Sequence, residues 1–144
     1  MTVPYIDTSA LAKWYLNEPQ SEEFEDFISN QAAAAISRLG VVEFGCLLAR
    51  RRRAGEISRK AEDSVQRAFD DDIRQGVLEV YPLEDLHAVA AAGLIARLPG
   101  QPLRTLDALH LAIALEHSAK VLATADRVMA AAGKSLGLKV VAFF

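Results

Sequence analysis

Five short apolar runs, separated by longer stretches with helical spacing, constrain this chain more than any other feature. The runs are Val3-Pro4-Tyr5-Ile6, Ala32 to Ile36, Val77 to Leu83, Lys120 to Ala123 and Lys139 to Phe143, and each reads as a strand. Between them lie Ala10 to Leu16, Ser21 to Ile28, Arg38 to Arg53, Ser58 to Gln75, Glu84 to Leu98, Leu106 to His117 and Asp126 to Ala132, which read as helices. Asn17-Glu18-Pro19, Gly55, Gly76 and Pro99-Gly100-Gln101-Pro102 supply the breaks. Strand alternating with helix implies right-handed crossovers and a parallel sheet covered on both faces. The expectation is an α/β fold, a three-layer α/β/α sandwich with a central, mainly parallel sheet, in a single domain over residues 1–144.

Within that frame, Asp7, Glu43, Asp107 and Asp126 each interrupt a stretch apolar enough to be interior. A lone ionised carboxylate there costs several kcal/mol or shifts its pKa, so four of them point to a shared compensating cation. Asp7 and Asp126 directly follow strand runs, and ligands of open parallel sheets gather at the C-terminal ends of strands. Asp107 falls in the first turn of its helix, where the dipole favours an anion, and Glu43 lies about one and a half turns into another. Helical spacing puts Asp107, His110, Leu111 and Ala114 on one stripe and Leu106, Leu109 and Ile113 on a second. A helix apolar nearly all round is interior, so the acid at its mouth faces a crevice.

Carboxylates without a His or Cys pair at ligand spacing suit the hard cations Mg²⁺ or Mn²⁺ and not zinc. Such an ion keeps an open face for phosphate, activates water and neutralises charge on a leaving oxygen, which implies phosphodiester hydrolysis. Each acid also has an ordinary role: Asp7 and Asp126 as helix caps or turn acids, Glu43 as a surface residue, Asp107 as a partner of the helix dipole. His110 reads as a satisfied core histidine, and His87 and His117 carry no signal.

The net charge of −3 gives no global attraction for a polyanion, so a nucleic-acid partner needs a local basic patch or a bound cation. Arg50-Arg51-Arg52-Arg53, with Arg38 on the same helix, is the candidate RNA track; the ordinary reading is a solvated helix end. Trp14 and Tyr15 read as core or dimer contacts and not as base-stacking platforms. The single cysteine, Cys46, cannot form an internal disulfide, and its apolar surroundings suggest a buried thiol. With no basic leader and no uncharged apolar run of membrane-spanning length, a cytoplasmic location is expected.

Four segments carry a resemblance. Tyr5-Ile6-Asp7-Thr8-Ser9-Ala10-Leu11, Ser37-Arg38-Leu39 with Val41-Val42-Glu43-Phe44, Arg104-Thr105-Leu106-Asp107-Ala108-Leu109-His110-Leu111-Ala112 and Leu122-Ala123-Thr124-Ala125-Asp126 resemble, in order and spacing, the four acidic motifs of PIN-domain nucleases. Within that family the chain resembles the VapC toxins of toxin–antitoxin pairs. The resemblance covers nearly the whole chain and implies a Mg²⁺- or Mn²⁺-dependent endoribonuclease that is blocked by a cognate small antitoxin and usually dimerises. It makes Asp7, Glu43, Asp107 and Asp126 the catalytic, metal-binding acids, with Thr8, Ser9 and Thr124 bonding to the acids or to a metal-bound water. The competing readings are a catalytically silent PIN-fold module for protein or RNA contact and a structure-specific DNA nuclease. A haloacid-dehalogenase phosphatase fits poorly, because its second Asp would fall at Ser9.

Overall fold

The structure is a computed structural model describing residues 3–144; the first two residues of the domain expected over 1–144 lie outside them. The apolar runs become β1 (Tyr5–Ile6), β2 (Ala34–Ser37), β3 (Leu78–Tyr81), β4 (Val121–Thr124) and β5 (Lys139–Ala142). They form one sheet in the order β3-β2-β1-β4-β5, with every neighbouring pair parallel. The helices are α1 (Thr8–Tyr15), α2 (Ser21–Ser29), α3 (Arg38–Arg53), α4 (Arg59–Arg74), α5 (Asp85–Arg97), α6 (Thr105–Glu116) and α7 (Arg127–Ser135). The expected α/β/α sandwich is therefore the fold.

Alternation along the central strands builds the layers. Tyr5 and Leu122 point into one core, with Leu111 and Ile113 of α6 and Met129 of α7. Their neighbours Ile6 and Ala123 point into the other, with Leu11, Phe24, Phe44, Leu48 and Phe69 from α1 to α4. Trp14 and Tyr15 pack against this second core, Tyr15 in contact with Phe44 and Phe69, in line with the core reading of both. On the opposite layer α7 lies so close to the sheet that a Cβ on Gly133 would sit 2.7 Å from Leu122 Cδ2.

The chain leaves β1 toward β2 and β3 on one side and returns to β4 and β5 on the other, so the strand order reverses beside β1. A crevice opens at such a point beyond the carboxyl ends of the strands. Asp7 and Asp126 stand there, each also capping a helix: Asp7 Oδ1 accepts from Ala10 N, and Asp126 Oδ1 from Met129 N.

Helix ends follow the expected punctuation, save that α7 runs on to Ser135, three residues past the expected Ala132. Gly55 and Gly76 take φ of 77° and 78° and close α3 and α4 with paired backbone bonds, Glu56 N to Arg51 O and Val77 N to Asp72 O. Thr105, which directly precedes the run read as a helix from Leu106, is already the first helical residue of α6, and Arg104 is the cap. The Asp107 carboxylate accepts the Arg104 N–H at 3.1 Å, so the acid satisfies the helix end.

The phase of α3 differs from the expected one. Its buried face is Leu39, Gly40, Phe44 and Leu48. The apolar Val42 is 63% exposed, and Cys46, expected to be a buried thiol, is exposed. Aromatic stacking fixes the rotation: the Phe44 and Phe69 rings meet at 4.7 Å, and Tyr15 closes on both. The second apolar stripe, containing Val42 and Cys46, is left to line a surface groove.

Candidate active site

All four acids line one pocket of about 120 Å³, together with Thr8, Ser9, Arg104, His110 and Met129. Two arrive from strand ends, Asp7 after β1 and Asp126 after β4. Two arrive from helices, Glu43 from the second turn of α3 and Asp107 from the first turn of α6.

Asp7 is the most constrained. It is 4% exposed, and three donors hold it: Ser9 Oγ to Oδ1 at 2.6 Å, Ala10 N to Oδ1 at 3.1 Å and Thr124 Oγ1 to Oδ2 at 2.6 Å. Burial pushes its carboxyl above the ordinary range; the charge of His110 and the bonds from Ser9, Thr124 and Ala10 offset only part of this. Ser9 and Thr124 are tied in turn to the β4–α7 turn, since Ala125 N donates to Ser9 Oγ and Asp126 N to Thr124 Oγ1. The two hydroxyls thus couple Asp7 to the backbone that carries Asp126.

Glu43 has a different environment. Burial raises its carboxyl, but the hydrogen bond and charge of His110, followed by the bond from Thr8, outweigh that and hold it below the usual range. Thr8 Oγ1 donates to Glu43 Oε1 at 2.8 Å, and His110 Nε2 makes a close bond to the same oxygen. The other imidazole nitrogen, Nδ1, bonds the buried Tyr5 hydroxyl at 2.6 Å. A phenol can give to Nδ1 or take from it, so Nε2–H donates to Glu43 in either charge state of the ring. His110 thus orients a site acid. Its spacing three residues after Asp107 was the available signal, but a histidine on an apolar helix is otherwise indistinguishable from a core residue.

His110→Phe keeps the ring volume and leaves both Glu43 and Tyr5 short of a partner. Chemical denaturation is expected to show a loss of about 1–3 kcal/mol, and any reaction that needs Glu43 in place should slow by about 10–100-fold. An unchanged rate would remove His110 from the site.

Arg104 is the second residue outside the expected set. Its Nε lies 3.4 Å from Asp107 Oδ2, and a terminal nitrogen lies 3.4 Å from Asp126 Oδ2, with the side chain 77% exposed. The four acids do not form a tight cage: among the described residues, the group whose ligand atoms lie within 4.8 Å of one another is His87, Glu116 and His117, elsewhere on the molecule. That group is poorly built for an ion. Glu84 N donates to His87 Nδ1 at 3.0 Å, so the proton of the neutral ring sits on Nε2 and leaves no lone pair there.

The acid pocket opens into a groove of about 540 Å³ walled by Leu39, Val42, Cys46, Leu47 and Leu106, with Arg50 and Arg104 among its residues. The arginine run divides. Arg51 pairs with Glu18 and Glu56, and Arg52 pairs with Glu62, whereas Arg50 faces the groove, and Arg38 and Arg53 are exposed. Among the described residues, no helix is long and apolar enough to cross a membrane.

A family model for the PIN domain matches residues 5–135, a span that contains all four acids of the switch-point crevice. The chain belongs to the PIN-domain family. Ribonuclease VapC47 of Mycobacterium tuberculosis (strain CDC 1551 / Oshkosh) is 33% identical over 116 residues, which is 78% of this chain and 74% of that protein. The crystal structure of Mycobacterium tuberculosis VapC20 matches with a TM-score of 0.71 at 19% identity, over 90% of this chain and 95% of that one. The DNA-bound VapBC of Salmonella typhimurium matches with a TM-score of 0.68 at 19% identity, over 100% of both chains.

Proposed function

We propose that this chain is a single-domain, metal-dependent endoribonuclease acting in the cytoplasm as the toxin of a VapBC-type pair. The observation that carries the proposal is the convergence of Asp7, Glu43, Asp107 and Asp126 on one pocket in a PIN-domain chain. The name of the relative, Ribonuclease VapC47, supports the reaction class. The matched VapBC structures support an antitoxin partner.

The donor set fits Mg²⁺ or Mn²⁺. It is all oxygen, one oxygen of Asp107 and one of Glu43 are not used in side-chain bonding, and about 120 Å³ leaves room for an ion that keeps several waters. Bound there, the ion would supply an activated water and neutralise charge on the leaving oxygen. The chain's residues do the rest. Ser9 and Thr124 fix both oxygens of Asp7, while Thr8 and His110 keep Glu43 ionised and aimed inward. Asp107 and Asp126 present carboxylates from helix starts, and one of the four acids would orient the attacking water.

The groove beside the pocket suits an antitoxin segment. Val42 and Leu106 offer exposed apolar surface next to the acids, and such a segment docks by its apolar side chains. RNA would run past Arg50 and Arg38. Leu86 and Val89, 47% and 70% exposed on α5, are the natural contact for a second copy in a homodimer.

The test is cleavage of total RNA and of a flap DNA by the purified chain. RNA should be cut in Mg²⁺ or Mn²⁺, protected by EDTA, and left intact by Asp107→Asn with an unchanged circular dichroism spectrum. RNA cutting that survives both chelation and the substitution would refute the metal mechanism, and preferential cutting of the flap would make the chain a DNA nuclease.

A further inference from the structure

Arg104 supports Asp107 through its backbone N–H, and its guanidinium is the cation nearest to both Asp107 and Asp126. Its backbone is fixed at the start of α6 by the bond from its N–H to Asp107 Oδ2 at 3.1 Å. Its guanidinium lies on the solvent side of the pocket, 3.4 Å from Asp107 and 3.4 Å from Asp126, and is 77% exposed where those carboxylates are 12% and 27% exposed. The same side chain lines the acid pocket and the apolar groove beside it.

We propose that Arg104 is a tethered counter-cation. It bridges Asp107 and Asp126 when no divalent ion is bound, yields them when one binds, and then contacts an RNA phosphate at the groove mouth. The inference rests on the metal-dependent reading above. The chemistry of the side chain suits both positions. A guanidinium offers five donors in a planar fork, which can span two carboxylates or clasp one phosphate, and a point-charge ammonium can do neither as well. The bridge is weak enough to give way, because the guanidinium is largely in water and each contact is long, at 3.4 Å. A dication that collects several of the same carboxylates displaces it. The released arginine stays in place, since its backbone is held by the helix end. Arg51 and Arg52 are already committed to Glu18, Glu56 and Glu62, so Arg104 is the guanidinium closest to the acids that is free to move.

This arrangement has a use. A chain with four converging acids and a net charge of −3 repels RNA unless the pocket is neutralised. Coupling the arginine's release to ion binding makes positive charge available to a phosphate only when the ion is present.

The experiment titrates Mn²⁺ calorimetrically into the full chain as wild type, Arg104→Gln, Arg104→Lys and Arg127→Gln. The last removes a charge beside Asp126 whose guanidinium instead lies 4.1 Å over the Phe144 ring. Arg104→Gln is expected to bind Mn²⁺ about three- to tenfold more tightly than wild type, with Arg104→Lys between them. Arg127→Gln should stay within about twofold. In a second arm, a fluorescein-labelled single-stranded RNA is bound in Ca²⁺. Arg104→Gln should bind it more weakly, with the slope of log affinity against log salt reduced by about one. Unchanged or weaker Mn²⁺ binding by Arg104→Gln, or an equal gain in Arg127→Gln, overturns the proposal while leaving the metal reading intact. Absence of Mn²⁺ binding by the wild type overturns both.

Discussion

Replacing Asp7 by Asn should slow RNA cleavage by about a thousandfold or more and, in EDTA at neutral pH, make the protein more stable. The two effects share a cause. Asp7 is nearly inaccessible and held by three donors, and burial raises its pKa in the folded chain. Between its ordinary value of about 4 and the raised folded value, the folded state binds more protons than the unfolded state. Stability from this group is therefore full at low pH, falls as pH rises through that interval, and is lost above it. Asparagine is neutral throughout and escapes the penalty, while being a poor ligand for a hard cation. Thermal melts in EDTA should show Asp7→Asn gaining on wild type at pH 7.5 and not below about pH 4. Added Mg²⁺ should raise the wild-type melting temperature but not the variant's. A variant destabilised equally at both pH values would mean that hydrogen bonding at Asp7 outweighs its buried charge.

The second large effect is expected in the core behind the site. Phe44→Ala should cost about 3–5 kcal/mol, a large part of the 5–15 kcal/mol that holds an ordinary domain together. Phe44 is fully buried, with its ring 4.7 Å from Phe69 and 5.4 Å from Tyr15, and it sets the rotation of α3 that turns Glu43 into the pocket. Val42→Ala, two residues earlier on the exposed stripe, should cost less than about 0.5 kcal/mol. Urea denaturation of both variants checks the contrast. A loss below about 1 kcal/mol for Phe44→Ala would mean that the aromatic cluster does not fix the helix.

Local pattern was enough to locate the elements, because strand alternation, helix spacing and terminating glycines act over a few residues. Ser37 and Ser58 cap helices as their positions suggest, and Gly55 and Gly76 end them. Four acids placed after strands or early in helices were also legible, since a carboxylate in an apolar stretch requires compensation wherever it occurs. The arrival of all four at one pocket followed from the parallel topology, which brings strand ends and helix starts to the same edge.

Contacts between distant segments lay outside that reach. The sequence of α3 carries two apolar stripes of comparable strength, and only packing against Tyr15 and Phe69 decides that Phe44 goes inward and that Val42 and Cys46 line a groove. The arginine run looks uniform as a string, but Glu18, Glu56 and Glu62 claim Arg51 and Arg52 and leave Arg50 facing the groove. His110 and Arg104 flank Asp107 at equal spacing on one helix; the fold sends one inward to Tyr5 and Glu43 and the other outward over Asp126. The sequence by itself determined that four carboxylates interrupt apolar stretches and at which ends of which elements they stand. The tertiary structure alone decided what surrounds them, because burial and pairing depend on partners up to 117 residues away along the chain, as between Asp7 and Thr124.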